Sequence, residues 1–164
     1  MDEYGESDAL RSAVRQEMRT ASRAIEDSRA RQRRQLESAI GGSIECVQDK
    51  GSVFESLMDR GDRETTKLAV IGIGDYAEPS FTLLFRLVEL VLGGDQSLAV
   101  CAVFALGEWY LRTNSQDVAR LLDRIKRRFG EDTHMATCVD VAMKRDVDFD
   151  RLMAYLSGFV SNLS

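Results

Sequence analysis

Three segments of this 164-residue chain share one frame. Gly61-Asp62 leads to Gly74-Asp75, Gly94-Asp95 leads to Gly107-Glu108, and Gly130-Glu131 leads to Met143-Lys144, each across the same step of 13 residues. Between the anchors lie a short polar start and then a small-and-apolar run. Aligned on the anchors, Val70, Val103 and Val139 share one column, and Ala69, Ala102 and Cys138 share the column before it. A fixed period of a few tens of residues is the signature of stacked repeats, in which each unit buries its apolar face against the next. That architecture predicts a surface presented to a partner, and no catalytic signature accompanies it.

Length and composition agree with one globular domain carrying an appended arm. The chain is 44% apolar and 30% charged, a balance that supports a buried core. It has a single proline, which favours helices, because proline breaks their interior hydrogen bonds. Cys46, Cys101 and Cys138 are odd in number and form no CxxC pair, against a disulfide framework or a structural zinc site. The N-terminus is charged and lacks an apolar signal region, and the longest apolar run, Leu98 to Leu106, is too short to span a bilayer. With a net charge of -5, these features lead us to expect a cytoplasmic protein.

Residues 1–8 are acidic and are expected to fray. From about Ala9 to about Ile40 the chain reads as one long helix, free of Gly and Pro and rich in strong helix formers. Leu10, Val14, Met18, Ala21 and Ile25 form its apolar stripe, and Gly41-Gly42 ends it. Further helices are expected over Ile44–Met58, Thr65–Tyr76, Phe81–Leu92, Leu98–Leu111, Gln116–Phe129, Met135–Met143 and Asp148–Val160. Leu98–Leu111 is apolar on all sides, the mark of a buried helix, whereas Val118, Leu121, Leu122, Ile125 and Phe129 share one face of their helix.

The stretch from Gly74 to Tyr110 resembles HEAT repeats of the short, HEAT-like type. Ala105-Leu106-Gly107-Glu108, and Gly74-Asp75 with Glu78-Pro79, carry the match. The resemblance covers residues 61–132 well and 133–160 poorly, where Lys144 and Arg145 replace the acidic anchor. A degenerate last unit is expected of a cap. The resemblance implies an all-α fold: a short HEAT-like helical-hairpin stack (42–164) preceded by the acidic tip and Arg-rich helix (1–41). It also implies a groove lined by the second helix of each unit, making Arg86 and Glu89, with Arg120, Arg124 and Lys126 or Arg127, groove candidates.

A rival reading starts from Val70-Ile71-Gly72-Ile73-Gly74-Asp75-Tyr76-Ala77. A strand running into GxGxxA is a dinucleotide-binding fingerprint, with Gly72 and Gly74 admitting backbone to a pyrophosphate. The alternative role for both glycines is to let two helices pack closely.

Three groups are candidate contact residues. Arg11, Arg15, Arg19 and Arg23 recur every four residues as a stripe beside the apolar one. Residues 11–34 hold eight arginines against Glu17, Glu26 and Asp27, so the rest of the chain carries -10. Such a helix can meet phosphates, an anionic surface or an acidic partner, or stay a solvated face. Arg120, Arg124, Lys126, Arg127 and Arg128 form a second basic patch, which also suits a helix C-terminus. Trp109 and Tyr110 beside Glu108, with Asp75-Tyr76, sit at turns where aromatics can anchor an interface or simply pack. His134 is the only histidine, so a metal site is not expected, and Asp146, Asp148 and Asp150 lack the glycine and closing Glu of a calcium loop.

The function expected is therefore a non-catalytic adaptor or assembly factor that binds another protein, without a cofactor, and forms a homodimer through the N-terminal helix. The alternatives are a nucleic-acid-binding protein using the Arg-rich helix and the 120–128 patch, and a nucleotide-binding enzyme using Gly72 and Gly74.

Overall fold

The structure is a computed structural model that describes residues 3–147 together with residues 150, 151, 153 and 154. Among these residues the chain is all helical. The elements are α1 (Glu3–Ile40), α2 (Lys50–Met58), α3 (Arg63–Tyr76), α4 (Phe81–Leu92), α5 (Gln96–Thr113), α6 (Gln116–Phe129) and α7 (His134–Ala142), with a 3-10 turn at Ile44–Cys46. The expected last helix lies outside the described residues, apart from 150, 151, 153 and 154, which are helical.

The helices begin where the sequence offers an oxygen to the first turn. Asp49, Asp62 and Asp95 accept from the N–H of Ser52, Glu64 and Leu98, and Ser80, Ser115 and Thr133 accept from those of Leu83, Val118 and Ala136. Each contact satisfies a donor that a helix start otherwise leaves unpaired. Gly61, Gly94 and Gly130 precede three of these starts with φ of 78°, 87° and 98°, a region that glycine enters without steric penalty. The opening glycine of the frame is thus a turn requirement.

The closing glycine has a different cause. A Cβ on Gly74 would lie 2.7 Å from the Cα of Ala105, and one on Gly107 would lie 2.7 Å from the Cβ of Ala142. These positions bring α3 close to α5 and α5 close to α7, making one layer that the end of α1 joins beside α3. The two aligned columns of the frame form its interior: Ala69, Val70, Ala102, Val103, Cys138 and Val139 are all fully buried. The remaining helices form a second layer, α2 resting on α3, α4 on α5, and α6 on both α5 and α7. The second helix of each expected pair therefore packs against the first helix of the next pair.

Several expectations change. Val70–Tyr76 is the interior of α3, not a strand entering a phosphate loop. A Cβ on Gly72 would meet Leu36 at 2.8 Å and Phe54 at 3.1 Å, so both glycines serve close helix packing and the fingerprint has no strand to rest on. The helix expected over Ile44–Met58 is split. Glu37 accepts the N–H of Ile44, and Asp49 takes both the N–H and the hydroxyl of Ser52, so local side-chain bonds displace the helical ladder before α2 begins. The N-terminal helix starts at Glu3 rather than Ala9. The helix expected over Leu98–Leu111 extends to Gln96–Thr113 and ends on Asn114 at φ 52°, a left-handed position that asparagine tolerates.

Candidate interaction surfaces

α1 is the first surface. From Ser7 to Asp27 every residue is exposed, and the helix meets the body only near its end, where Leu36 is buried. Arg11, Arg15, Arg19 and Arg23 all lie on this projecting part, exposed. Polar bonds flank that contact: Arg33 bonds Glu37 and Glu45 and lies 5.8 Å from the ring centre of Tyr76. The Ile44 N–H above all holds the Glu37 carboxyl below its usual range; burial opposes it, and Arg33 adds to the lowering.

The second surface was not singled out from sequence. α4 turns Leu83, Leu87 and Val91 inward, but Phe81 is 83% exposed, Phe85 58% and Leu92 49%. The signal was present: α4 reads FTLLFRLVELVL, with more apolar positions than one face can bury in a two-layer stack. Arg86, a groove candidate on the same helix, is occupied by α2, bonding Asp59 at 2.7 Å and Glu55 at 3.4 Å.

α6 lies in the same layer as α4. Its Arg120, Arg124, Arg127 and Arg128 are exposed, and only Arg120 makes an ion pair among the described residues, with Asp117 at 3.7 Å. Lys126 departs from the groove expectation, since it bonds the buried Asp140 of α7 at 3.0 Å. Asp140 also meets Arg145 at 3.4 Å and Arg151 at 3.0 Å. Burial alone would raise its carboxyl, but hydrogen bonds from Lys126, Arg151 and Arg145 outweigh that and hold it below its usual range. Of the basic residues at the third anchor, Arg145 is thus a counter-charge of a buried acid.

Trp109 is not an edge anchor. It is fully buried, and its indole N–H donates to the carbonyl of Ile73 at 2.9 Å. Tyr110 is half-buried. Arg112, which sequence reasoning passed over, donates to the carbonyls of Gly74 (3.1 and 2.6 Å) and Ala77 (2.8 Å). Together α5's Trp109 and Arg112 cover the end of α3: Trp109 adds a second donor to the Ile73 carbonyl, and Arg112 meets the Gly74 and Ala77 carbonyls at a helix C-terminus, where a cation is favoured.

A cleft of about 370 Å³ runs between α1, α3 and α5, lined by Arg29, Gln32, Ile71, Asp75, Phe104 and Glu108 among others. Burial, then the neighbouring Glu108, push the Asp75 carboxyl up, while Arg29 and Arg112 pull against them. Among the described residues no cluster of His, Cys, Asp and Glu is arranged to hold a metal ion, and no helix is long and apolar enough to cross a membrane. Compared with known proteins, the chain matches no family model, no curated protein and no solved structure.

Proposed function

We propose that this protein is a non-catalytic interaction module, an adaptor or assembly factor, in which a HEAT-like helical stack holds another protein. The observation that supports this reading is the outward face of α4, where Phe81 and Phe85 stand one turn apart and largely exposed. Exposing two phenylalanines on a rigid helix is unfavourable, and contiguous apolar surface of this kind marks contact sites. A segment with apolar anchors for α4 and acidic residues for Arg120 and Arg124 of α6 suits this layer. The test is photo-crosslinking from benzoylphenylalanine at position 85 in the source cells, followed by reconstitution with the purified captured partner. Phe81→Ala with Phe85→Ala is expected to weaken that complex by about tenfold or more. Unchanged affinity for a folded double variant sinks the reading.

A second reading, nucleic-acid binding, is favoured by the Arg11, Arg15, Arg19 and Arg23 stripe, whose guanidinium groups are exposed and have no ion pair among the described residues. Anisotropy titration with labelled oligonucleotides over a salt series tests it. Replacing all four arginines by glutamine is expected to flatten the log-log salt slope by roughly 0.9 for each phosphate that is no longer neutralised. No binding by the full chain at low salt eliminates it.

A further inference from the structure

α1 is 38 residues long, about 57 Å at a rise of 1.5 Å per residue, yet residues 7–27 touch nothing that buries them. Leu10, Val14, Met18 and Ile25 are each about half or more exposed. With Ala21 they lie on one face, at steps of three and four residues. A helix with no tertiary support is marginal in water. Arg11, Arg15, Arg19 and Arg23 weaken it further, because like charges four residues apart repel. The described arm therefore has an apolar seam and an unbalanced charge stripe with nothing on either.

The charge order along α1 points to what covers the seam. Glu3, Glu6 and Asp8 stand at its start, while Arg29, Arg31 and Arg34 stand near its end. Two such helices side by side in parallel would set each arginine beside its own copy. Reversed, they set the acidic start of each helix against the basic end of the other.

We infer that α1 pairs antiparallel with α1 of a second copy, about a twofold axis between Met18 and Ala21. In this register Met18 meets Ala21 of the partner subunit, and Val14 meets Ile25 of the partner subunit, in alternating layers of the kind that two-stranded coiled coils use. Asp8 lies within a turn of Arg29 of the partner subunit, and Arg11 within a turn of Glu26 of the partner subunit. The contact is self-complementary and closes at two copies. Ser28 and Gln32 follow Ile25 on the same face, which limits the seam to the projecting part. This pairing leaves the α4 face uncovered, so it stands or falls separately from the adaptor reading.

Sedimentation equilibrium of the full chain, from about 1 to 200 µM, tests the pairing. The expected result is a concentration-dependent approach to twice the chain mass. Met18→Glu with Ile25→Glu is expected to raise the dimer dissociation constant by about 100-fold or more, since each charge would be buried without a partner. Near-ultraviolet circular dichroism of buried Trp109 checks that the body stays folded in this variant. Asp8→Arg and Arg29→Glu are each expected to weaken the dimer by about tenfold, because symmetry counts each clash twice. The double variant is expected to regain most of the loss. A monomer at every concentration overturns the pairing, as does a dimer indifferent to charges at 18 and 25. A double variant no stronger than the weaker single variant overturns the antiparallel register.

Discussion

The indole N–H of Trp109 and the carbonyl of Ile73 meet at 2.9 Å in the fully buried space between α5 and α3. Ile73 also receives the N–H of Ala77 at the end of α3. Trp109→Phe keeps an aromatic ring in place but removes the donor and part of the volume. We expect it to destabilise the fold by about 1–3 kcal/mol, measured by urea unfolding. Because Trp109 is the only tryptophan, its fluorescence in the wild type should resist iodide quenching until the fold opens.

The closing glycines predict a loss where helix propensity predicts a gain. Alanine is better than glycine inside a helix by about 1 kcal/mol. Gly74→Ala would nevertheless drive a methyl to 2.7 Å from backbone of Ala105, and Gly107→Ala would set one 2.8 Å from the carbonyl oxygen of Ala142. Backbone cannot rotate away as a side chain can. Each variant is expected to lose about 1–3 kcal/mol through forced separation of the helices. Gly42→Ala, with nothing within 4 Å of the added carbon, serves as the control. A Gly74→Ala variant that melts at or above the wild-type temperature would refute the close approach.

Those glycines show what could be read before folding. The 13-residue step, the buried valine column and the bounds of α4 and α6 were legible, because capping chemistry and apolar period are local. The frame did not reveal that one glycine serves a turn and the other an interhelical contact; that distinction depends on φ at Gly61 and on the distance from Gly74 to Ala105. Trp109 was ambiguous for a related reason. An aromatic after Gly-Glu reads alike at an exposed edge and over a helix end, and only the position of Ile73 decides. Phe81 and Phe85 were hidden among the apolar residues of α4, since composition does not say which face a neighbouring helix covers. Lys126 read as a groove residue and Arg145 as a departure from the acidic anchor until Asp140, buried on α7, gave them a partner.

The cysteines offer a graded probe of the stack. Cys46 is exposed in the 3-10 turn, Cys101 is half-buried, and Cys138 is buried. Burial pushes the Cys101 thiol up, and pushes that of Cys138 up to about 12. Since the thiolate is the reactive form, iodoacetamide at mild alkaline pH should modify Cys46 first and Cys101 more slowly. Cys138 should react only as fast as α7 opens. Peptide mass spectrometry over time gives the order, and early modification of Cys138 would contradict the packing of α7 on α5.

Asp140 predicts how stability depends on pH. Its side chain is 4% exposed and faces Lys126, Arg145 and Arg151. The net effect of these partners, exceeding burial, is a carboxyl that ionises below its usual value. A group whose folded pKa is depressed contributes stability above its unfolded value, about 3.9 for aspartate, and loses it as pH falls through the folded value. Asp140→Asn removes the charge and leaves three cations around a neutral amide. At pH 7 the variant is expected to be less stable by about 3 kcal/mol. The gap to wild type should hold down to about pH 4 and narrow as the solution becomes more acidic. Urea unfolding of both proteins between about pH 7 and pH 2.5, followed by circular dichroism, reads this gap directly. A gap that is constant across the range would mean that the aspartate carboxylate is not what holds α6 and α7 together.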